Sequence, residues 1–420
     1  MSGIDTRTST RQNADLTFKM NSRFGRHGWL RLTPAYSVKL VSEILAGADR
    51  GIRVLDPFSG TGTTPLCAAY AGDKGAGVEI NPFLVWLGNA KLATYRASSI
   101  DAAREALCSI ISRAGRRNNA MLTPPPMHNI ERWWDTEPLR FLCGFKTALE
   151  DAAPTGSPIR DLLLIVFCRL LISLSNAAFN HQSMSFKDKV PARSLDKLQP
   201  LLFDVEPDLA YSARMEGEHV LNSAAENPRG AGVVVTGDSR SVSTTVHDTY
   251  DLIVTSPPYP NRMSYVRELR PYMYWLGYLK TGRDAGDMDW SAIGGTWGIA
   301  TSRLATWQRS SDGFYPRYFD YILAKIRHAD KKSGSILSNY VAKYFEDIWG
   351  HIKSARSVVT CGGAVHYIIG NSTFYDVLVP VERLFASMLT EAGFSNAHIT
   401  RIRKRNSKKE LYEFDVSATR

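Results

Sequence analysis

The sequence lacks the cysteine pattern of a zinc site or of a disulfide framework. Its five cysteines lie far apart and include no Cys-x-x-Cys pair: Cys67, Cys108, Cys143, Cys168 and Cys361. An odd number of widely spaced cysteines, most of them among apolar neighbours, is typical of reduced thiols in a core. We therefore expect reduced core thiols and no metal site.

Long apolar runs are also missing. The first 15 residues are polar and contain no apolar stretch of the kind found in secretion signals. The most apolar run, Leu162 to Leu174, is interrupted by Cys168 and Arg169 and is too short to cross a bilayer. The sequence therefore predicts a flexible N-terminus at residues 1–15 and a cytoplasmic protein.

Acidic residues are outnumbered by basic ones. The chain has 51 Lys and Arg against 41 Asp and Glu, which gives a formal net charge of +10. A basic balance is typical of nucleic-acid binders, because cations displace counterions from phosphates. A solvated basic surface gives the same count, so the charge favours a nucleic-acid partner without fixing one.

The order of strand-like and helical patterns divides the chain. Strand-like runs occupy residues 52–55, 76–80, 232–236, 250–254 and 364–369. The loops and helical patterns between neighbouring runs predict βαβ units and hence a parallel sheet. The intervening segment reads mainly as helices. We predict an α/β catalytic domain formed by residues 16–82 and 231–420, with a helical insertion at 83–230 that contributes to DNA recognition.

Two further stretches complete the predicted architecture. His398 to Asp415 predicts two antiparallel strands around a turn at Asn406 and Ser407. Gly282 to Ser302 is rich in glycine and aromatic residues, including Trp290 and Trp297, and predicts a long surface loop. The predicted fold is therefore a mostly parallel sheet with a terminal antiparallel hairpin.

A glycine loop follows the first predicted strand of the α/β pattern, in the run Asp56-Pro57-Phe58-Ser59-Gly60-Thr61-Gly62. Glycines between a strand and a helix let a ligand approach the backbone and meet free amides at the helix N-terminus. A phosphate-binding P-loop requires Gly-Lys-Ser/Thr, which this run does not contain. A dinucleotide fingerprint requires a third glycine where this chain has Pro65. The loop is typical of a different nucleotide-like ligand or of a plain tight turn.

Acidic residues stand at the ends of two further predicted strands. Glu79, in Gly-Val-Glu-Ile-Asn-Pro, is placed to accept the ribose hydroxyls of an adenosine cofactor, as in other α/β folds. Asp238, in Gly-Asp-Ser-Arg, is placed to accept a hydrogen bond from an adenine amine. The alternative for either residue is an exposed acid at a strand end.

The strand at 250–254 is followed by Thr255-Ser256-Pro257-Pro258-Tyr259. Two prolines fix the backbone and remove two amide donors, which leaves carbonyls free to accept. The Ser256 hydroxyl and the Pro257 carbonyl would accept the hydrogens of an aryl amine and favour the geometry in which its lone pair attacks. Tyr259 offers a flat face for a base that has left the helix stack. A rigid Pro-Pro turn is the alternative.

Taken together, these segments resemble the motif series of bacterial DNA amino-methyltransferases. The similar segments are Asp-Pro-Phe-Ser-Gly-Thr-Gly at 56–62, Glu-Ile-Asn-Pro at 79–82, Gly-Asp-Ser-Arg at 237–240 and Thr-Ser-Pro-Pro-Tyr at 255–259. The flanking segments from His27 to Tyr36 and from Asn261 to Gly277 also resemble that family. The serine-headed loop is similar to the cytosine-N4 branch, whereas adenine-N6 enzymes more often carry Asp or Asn there. The resemblance implies a Rossmann-like class I methyltransferase fold.

The same resemblance implies the cofactor and the roles of the site residues. S-Adenosylmethionine would be bound by Asp56, Phe58, Ser59, Gly60, Gly62, Glu79 and Asp238. Within this set the loop residues would shape the methionine side, Glu79 would hold the ribose and Asp238 the adenine. The target base would be held by Ser256, Pro257, Pro258 and Tyr259.

The implied activity is site-specific methylation of the 4-amino group of cytosine in double-stranded DNA, with the target base flipped out of the helix. The implied role is restriction-modification or host protection, with a cognate restriction endonuclease as a partner. Adenine-N6 methylation, amine methylation of RNA or of a protein glutamine, and a non-catalytic nucleic-acid-binding module are the alternatives. Methylation of a ring carbon is disfavoured because no Pro-Cys nucleophile follows a strand.

Three segments are candidates for DNA contact. They are the basic loop from Lys187 to Arg193, the Gly/Trp stretch at 282–303 and the basic cluster at 401–409. The first two are candidates for reading sequence. The third would grip phosphates, although charged hairpin ends also protect sheet edges.

Overall fold

The structure is a computed structural model. It describes residues 4–5, 16–30, 32, 36–116, 123–178, 185–186, 208–261, 264, 266–295, 299–405 and 410–420.

The described residues form strands β1 Ile4–Asp5, β2 Arg53–Asp56, β3 Lys74–Glu79, β4 Ala177–Ala178, β5 Ser185–Phe186, β6 Gly232–Thr236, β7 Tyr250–Thr255, β8 Val359–Gly370, β9 Ser372–Phe374, β10 Val377–Val379, β11 Ser395–Lys404 and β12 Tyr412–Thr419. Their helices are α1 Val38–Ala46, α2 Thr63–Ala71, α3 Pro82–Leu92, α4 Ala97–Ala114, α5 Ile130–Trp133, α6 Thr136–Ala152, α7 Arg160–Ser173, α8 Leu209–Ala224, α9 Val242–Thr245, α10 Arg270–Trp275, α11 Gly282–Ser291, α12 Ile299–Thr306, α13 Arg317–Ala329, α14 Gly334–Val358 and α15 Val381–Glu391.

An eight-stranded sheet organises the molecule, in the order β1-β11-β12-β8-β7-β2-β3-β6. All neighbouring pairs are parallel except those made by β12, which runs antiparallel to both β8 and β11. This arrangement confirms the predicted Rossmann-like fold, with its mostly parallel sheet and terminal antiparallel hairpin. The predicted turn at 406–407 lies outside the described residues.

The two strands that precede the predicted site loops are neighbours at the centre of the sheet. β2 and β7 pair in register, with Val54 opposite Leu252 and Leu55 opposite Ile253. Helices cover both faces here, so these strands are continuous apolar runs rather than alternating ones. Because ligands in such sheets bind outside the carboxyl ends of the strands, this pairing determines where the site lies.

The segment predicted as a helical insertion is mainly helical, although its first helix belongs to the sheet layer. In α3, the Asn89 side chain donates to the Val234 carbonyl at 2.8 Å and accepts from the Val234 amide at 2.9 Å. The later helices surround α7, whose residues 162–168 are all buried. Helix α7 ends at Ser173, and Ala177 and Ala178 then pair with β5. The domain boundaries at 82/83 and 230/231 stay a prediction.

The predicted long loop at 282–302 is wrong. Residues Gly282–Ser291 form α11 and Ile299–Thr306 form α12. The start of α11 is fixed by a capping box, in which Thr281 and Asp284 satisfy each other's backbone amides. The high glycine content of this segment favours a loop, whereas the capping box favours a helix.

All five cysteines are free thiols in the structure. Cys67, Cys143 and Cys168 are buried, whereas Cys108 and Cys361 are exposed. A core location is therefore confirmed for three of them.

Two kinds of feature are absent from the described ranges. Within them, no helix combines the length and the apolar character needed to cross a bilayer. Across the same ranges, no three His, Cys, Asp or Glu side chains are grouped as metal ligands.

Candidate active site

Asp56 joins the two loops of the site. This residue ends β2, and its Oδ1 accepts the Thr255 hydroxyl at 2.6 Å and the Phe58 amide at 3.1 Å. Thr255 ends the neighbouring strand β7, so one carboxylate fastens the glycine loop to the Ser-Pro-Pro-Tyr loop. Burial raises the pKa of Asp56 to about 6, although its hydrogen bonds, led by that from Thr255, act in the opposite direction. The described contacts give Asp56 the role of holding the loops in place.

The glycine loop has the backbone conformation that its sequence requires. Gly60 and Gly62 have φ of +51° and +77°, the left-handed region that a side chain disfavours. At Gly62 a Cβ would also lie 3.1 Å from the Cα of Gly88. Gly62 caps α2, so the loop leads into a helix N-terminus at the carboxyl edge of the sheet. The amides of Ser59, Gly60 and Gly62 bond within the protein, which fixes the shape of the loop.

Glu79 faces the glycine loop from the next strand. Its Oε2 accepts the Gly60 amide at 2.8 Å, and its Oε1 accepts the Asn81 amide at 2.9 Å. Burial raises the pKa of Glu79 to about 7, against the effect of these two hydrogen bonds. A carboxylate has about four acceptor sites, so acceptor capacity remains for a ligand hydroxyl beside the bonds from Gly60, Asn81 and Ile80. This geometry suits a diol when the carboxyl group is ionised.

Phe58 and Ser59 follow Asp56 but point to different surroundings. The partly exposed Phe58 ring meets the His351 ring edge-on at 4.7 Å between centroids. Ser59 is only 2% exposed, and its Oγ lies over Gly77, where a Cβ would approach to 2.3 Å. Ser59 therefore packs its side chain on β3, and its contact with a cofactor would come from the backbone.

His351 is a residue of this region that sequence reasoning missed. It lies on α14, and its Nδ1 donates to the Ser239 carbonyl at 2.8 Å while its Nε2 accepts the Tyr367 hydroxyl at 3.0 Å. Burial lowers its pKa to about 4, so the ring is neutral at physiological pH. The histidine thus supports Phe58 and the turn after Asp238. No motif around it in the sequence signals this role.

Asp238 lies beyond β6 and is held by Arg240. The two form an ion pair with 2.6 Å between Arg240 Nη2 and Asp238 Oδ2. Arg240 also contacts Asp347 at 3.1 Å and donates to the Ser291 carbonyl at 2.8 Å. Partial burial raises the pKa of Asp238, but the hydrogen bonds and charge of Arg240 outweigh it and leave the pKa below its usual value. Asp238 is therefore an ionised acceptor in a fixed orientation.

The Ser-Pro-Pro-Tyr loop is fixed by two elements from the C-terminal part of the chain. The Ser256 hydroxyl donates to the Ile368 carbonyl in β8 at 3.0 Å. The Pro258 carbonyl accepts the Tyr344 hydroxyl from α14 at 2.8 Å. Ser256 also has a side-chain hydrogen-bond contact with the Tyr259 hydroxyl. With its hydrogen used on Ile368, its oxygen keeps acceptor capacity, as binding an amine requires.

Tyr259 is tied to the C-terminal hairpin. Its hydroxyl donates to Glu413 Oε1 at 2.8 Å, and the Arg405 guanidinium lies 5.0 Å from its ring centroid. Glu413 Oε2 accepts from Arg403 Nε at 2.6 Å. Burial and the neighbouring Glu413 carboxylate raise the pKa of Tyr259, so its hydroxyl stays protonated. Sequence reasoning assigned Glu413 no role.

Only part of the candidate DNA contacts lies within the described residues. The basic loop from Lys187 to Arg193 and residues 406–409 fall outside them. Among the described cluster residues, Arg401 lies over the Tyr412 ring at 4.2 Å and Lys404 pairs with Glu410 at 3.0 Å. These basic side chains contact the hairpin itself, and their role on phosphates stays a prediction.

Comparisons with known proteins give one local sequence match and several distant structures. No protein-family model matches the chain. The type II methyltransferase M.BsoBI of Geobacillus stearothermophilus is 32% identical over 77 residues, which are 18% of this chain and 15% of that protein. The match therefore spans less than a sixth of that relative's length.

Two solved structures superpose on the chain at low scores. TrmN from Thermus thermophilus has a TM-score of 0.30 and 11% identity, over 96% of this chain and 52% of that one. The rRNA methyltransferase aviRa from Streptomyces viridochromogenes has a TM-score of 0.28 and 9% identity, over 91% of this chain and 86% of that one. The fold assignment rests on strand order and direction rather than on these superpositions.

Proposed function

We propose that this chain is an S-adenosylmethionine-dependent DNA methyltransferase that methylates an exocyclic base amine, the 4-amino group of cytosine. One observation carries the proposal. The glycine loop and the Ser-Pro-Pro-Tyr loop follow adjacent parallel strands, and Asp56 ties them together through Thr255. A cofactor loop and an amine-binding loop side by side are the arrangement that direct methyl transfer needs, because the reaction is promoted mainly by positioning.

The residues present fit the proposed cofactor. Glu79 keeps acceptor capacity for the ribose hydroxyls, and the left-handed glycines keep the loop beside it free of side chains. Phe58 offers a partly exposed ring, and Asp238 offers an ionised acceptor for the adenine amine. When bound, S-adenosylmethionine supplies an electrophilic methyl group.

The Ser256 loop would prepare the amine to attack. The Ser256 oxygen, whose hydrogen is used on Ile368, would accept one amine hydrogen, and the Pro257 carbonyl would accept the other. Both hydrogen bonds pull electron density toward the nitrogen lone pair. The nitrogen–carbon bond forms as the carbon–sulfur bond breaks, and the amine then releases one proton to water. Tyr259 would hold the flipped base by stacking.

Two features support a nucleic-acid substrate. The chain carries a net charge of +10, and Arg405 of the basic hairpin lies directly on the ring proposed to hold the base. Double-stranded DNA with a flipped base is the proposed substrate, and a cognate restriction endonuclease is the proposed partner. Ser256 favours cytosine over adenine through the family resemblance alone, so the identity of the methylated base is the most specific part of the proposal.

Methyl transfer to unmodified genomic DNA tests the proposal. The protein is incubated with tritiated S-adenosylmethionine and either DNA or total RNA, with Tyr259→Ala as the matched control. We expect label in DNA, and sequencing of that DNA with modified-base detection to find N4-methylcytosine at one site. Label in RNA alone would contradict the DNA substrate, and N6-methyladenine would reassign the base. If the protein binds the cofactor but transfers no label to DNA or RNA, the result would favour the alternative function, a non-catalytic binding module.

A further inference from the structure

We propose that Glu413, on the C-terminal hairpin, is a positioning residue that orients Tyr259 for base stacking, so that β11 and β12 form part of the active site. The inference rests on the proposed function. It concerns a residue for which the motifs give no role, 154 positions away from its partner in the sequence.

Glu413 lies in the middle of a cross-strand row at the carboxyl end of β8. In the sheet register it is opposite Gly370 of β8 on one side and Arg403 of β11 on the other. Its side chain is only 6% exposed, yet both carboxylate oxygens are used, one by Arg403 and one by the Tyr259 hydroxyl. A buried carboxylate is costly unless it is paired in this way, so the pair with Arg403 supports an ionised acceptor for the tyrosine.

The Tyr259 ring is held from three directions by this part of the chain. Glu413 holds its hydroxyl, and Arg405 covers one face at 5.0 Å. Gly370 borders its edge so closely that a Cβ there would lie 3.0 Å from Tyr259 Cε2. A base would therefore stack on the face opposite Arg405. The hydrogen bond fixes the position of the hydroxyl and so restrains rotation about the Cα–Cβ bond, while Arg405 on one face and Gly370 at the edge set the plane of the ring.

A stacking platform that turns freely would place the target amine at variable distances from the methyl group. Small misplacements of reacting groups cost large factors in rate, whereas they cost little in ground-state binding. Loss of the Glu413 contact should therefore lower the rate of methyl transfer and leave the affinities for cofactor and DNA unchanged. Damage to the hairpin alone would instead lower stability and binding.

A double-mutant cycle tests this assignment. Tyr259→Phe removes only the hydroxyl, Glu413→Gln removes the carboxylate charge at nearly constant shape, and the third variant combines them. Single-turnover transfer is measured with tritiated S-adenosylmethionine on a duplex bearing the site found by modified-base sequencing. We expect each single variant to lose about tenfold in rate, the scale of a hydrogen bond to a charged group. The combined variant should lose less than the product of the two single losses, since both changes remove the Tyr259–Glu413 hydrogen bond, although Tyr259 also contacts Ser256 and Glu413 also pairs with Arg403.

Glu410→Gln is the matched control. Glu410 precedes the same strand and pairs with Lys404 and with the Tyr412 hydroxyl, away from Tyr259. We expect it to transfer at the wild-type rate. Binding of the cofactor, measured by calorimetry, shows that each variant is folded. If Glu413→Gln is unstable, the conservative variant Tyr259→Phe still tests the loss of the hydrogen bond.

The outcomes separate the two proposals. Transfer by the wild type with multiplicative losses in the combined variant would overturn the positioning role alone. Equal losses in Glu413→Gln and Glu410→Gln would also overturn it, because the effect would then belong to the hairpin as a whole. No transfer by the wild type to any DNA would overturn the proposed function, and with it this inference.

Discussion

The two halves of the candidate site are stabilised over very different sequence distances. On the cofactor side, Glu79 accepts from Gly60 and Asn81, which are 19 and 2 positions away. On the base side, the loop is held by Ile368, Tyr344 and Glu413, at separations of 112, 86 and 154 positions. The glycine loop and Glu79 belong to one βαβ unit, whereas the Ser-Pro-Pro-Tyr loop is held by elements far along the chain. The cofactor half should therefore respond to local backbone changes, and the base half to changes far along the chain.

The largest expected effect is on the cofactor half. Gly60→Val should abolish measurable cofactor binding, because Gly60 has φ of +51° and a β-branched residue there displaces the amide that contacts Glu79. Isothermal titration with S-adenosylmethionine measures this, and we expect a loss of at least about 100-fold, the scale of a few kcal/mol of backbone strain.

Gly51→Val is the matched control for this change. Gly51 also has a positive φ, +77°, and open space around it, but it lies at the amino end of β2, away from the site. It should lower stability while leaving cofactor affinity in place. Normal binding by Gly60→Val would show that the loop does not contact the cofactor.

This contrast also explains what the sequence predicted. The glycine loop, Glu79 and the Ser-Pro-Pro-Tyr loop are local patterns, and the parallel strands that carry them are apolar runs bounded by small residues. The partners Glu413, Tyr344 and His351 carry no local pattern, because they acquire their roles only when β8, β12 and α14 pack beside the loops. The incorrect prediction of a loop at 282–302 has another cause. The capping box of Thr281 and Asp284 is a local pattern that indicates a helix, but the glycine content of the segment favours a loop.

The base half predicts a separation of turnover from cofactor binding. Tyr259→Ala should lower the rate of methyl transfer by about 100-fold, since base–aromatic stacking contributes about 1–3 kcal/mol and orientation is lost with it. The affinity for the cofactor should stay within about twofold of the wild-type value, a difference in binding free energy well below 1 kcal/mol. Calorimetry measures this affinity. Tyr375→Ala, at an exposed tyrosine of the β9–β10 turn, is the control. A comparable loss of affinity in Tyr259→Ala would mean that the two halves are not separable.

Ser256→Ala tests the acceptor role within the base half at a smaller scale. Removing the hydroxyl deletes one of the two proposed acceptors for the amine and the hydrogen bond to Ile368. We expect the single-turnover rate to fall about tenfold, as for loss of one hydrogen bond that forms in the transition state. DNA affinity, measured by fluorescence anisotropy, should remain near that of the wild type. An unchanged rate would show that the hydroxyl does not assist the amine.

The smallest expected effect is a pH dependence confined to the cofactor half. Burial raises the pKa of Glu79 to about 7, and the ribose hydroxyls need its ionised form. Cofactor affinity should therefore rise by about fourfold between pH 6.5 and 8.5, the change in ionised fraction for such a pKa. This window also keeps Asp56 largely ionised, since its pKa is about 6.

The free energy of unfolding should fall as the pH rises, over a lower pH range than the one in which cofactor affinity rises. The folded chain binds the Glu79 proton more tightly than the unfolded chain does, because the folded pKa of about 7 lies above the ordinary value of 4.5. The contribution of Glu79 to the free energy of unfolding is therefore fully present below about pH 4.5 and is lost as the pH rises to about 7. Glu79→Gln should flatten the affinity profile and reduce the slope of the stability profile, to which Asp56 also contributes because its pKa is raised to about 6. Asp238→Asn should leave the affinity slope intact, because the pKa of the Asp238 carboxyl lies below its usual value. An equal slope in Glu79→Gln would assign the titration to another group and remove Glu79 from the ribose site.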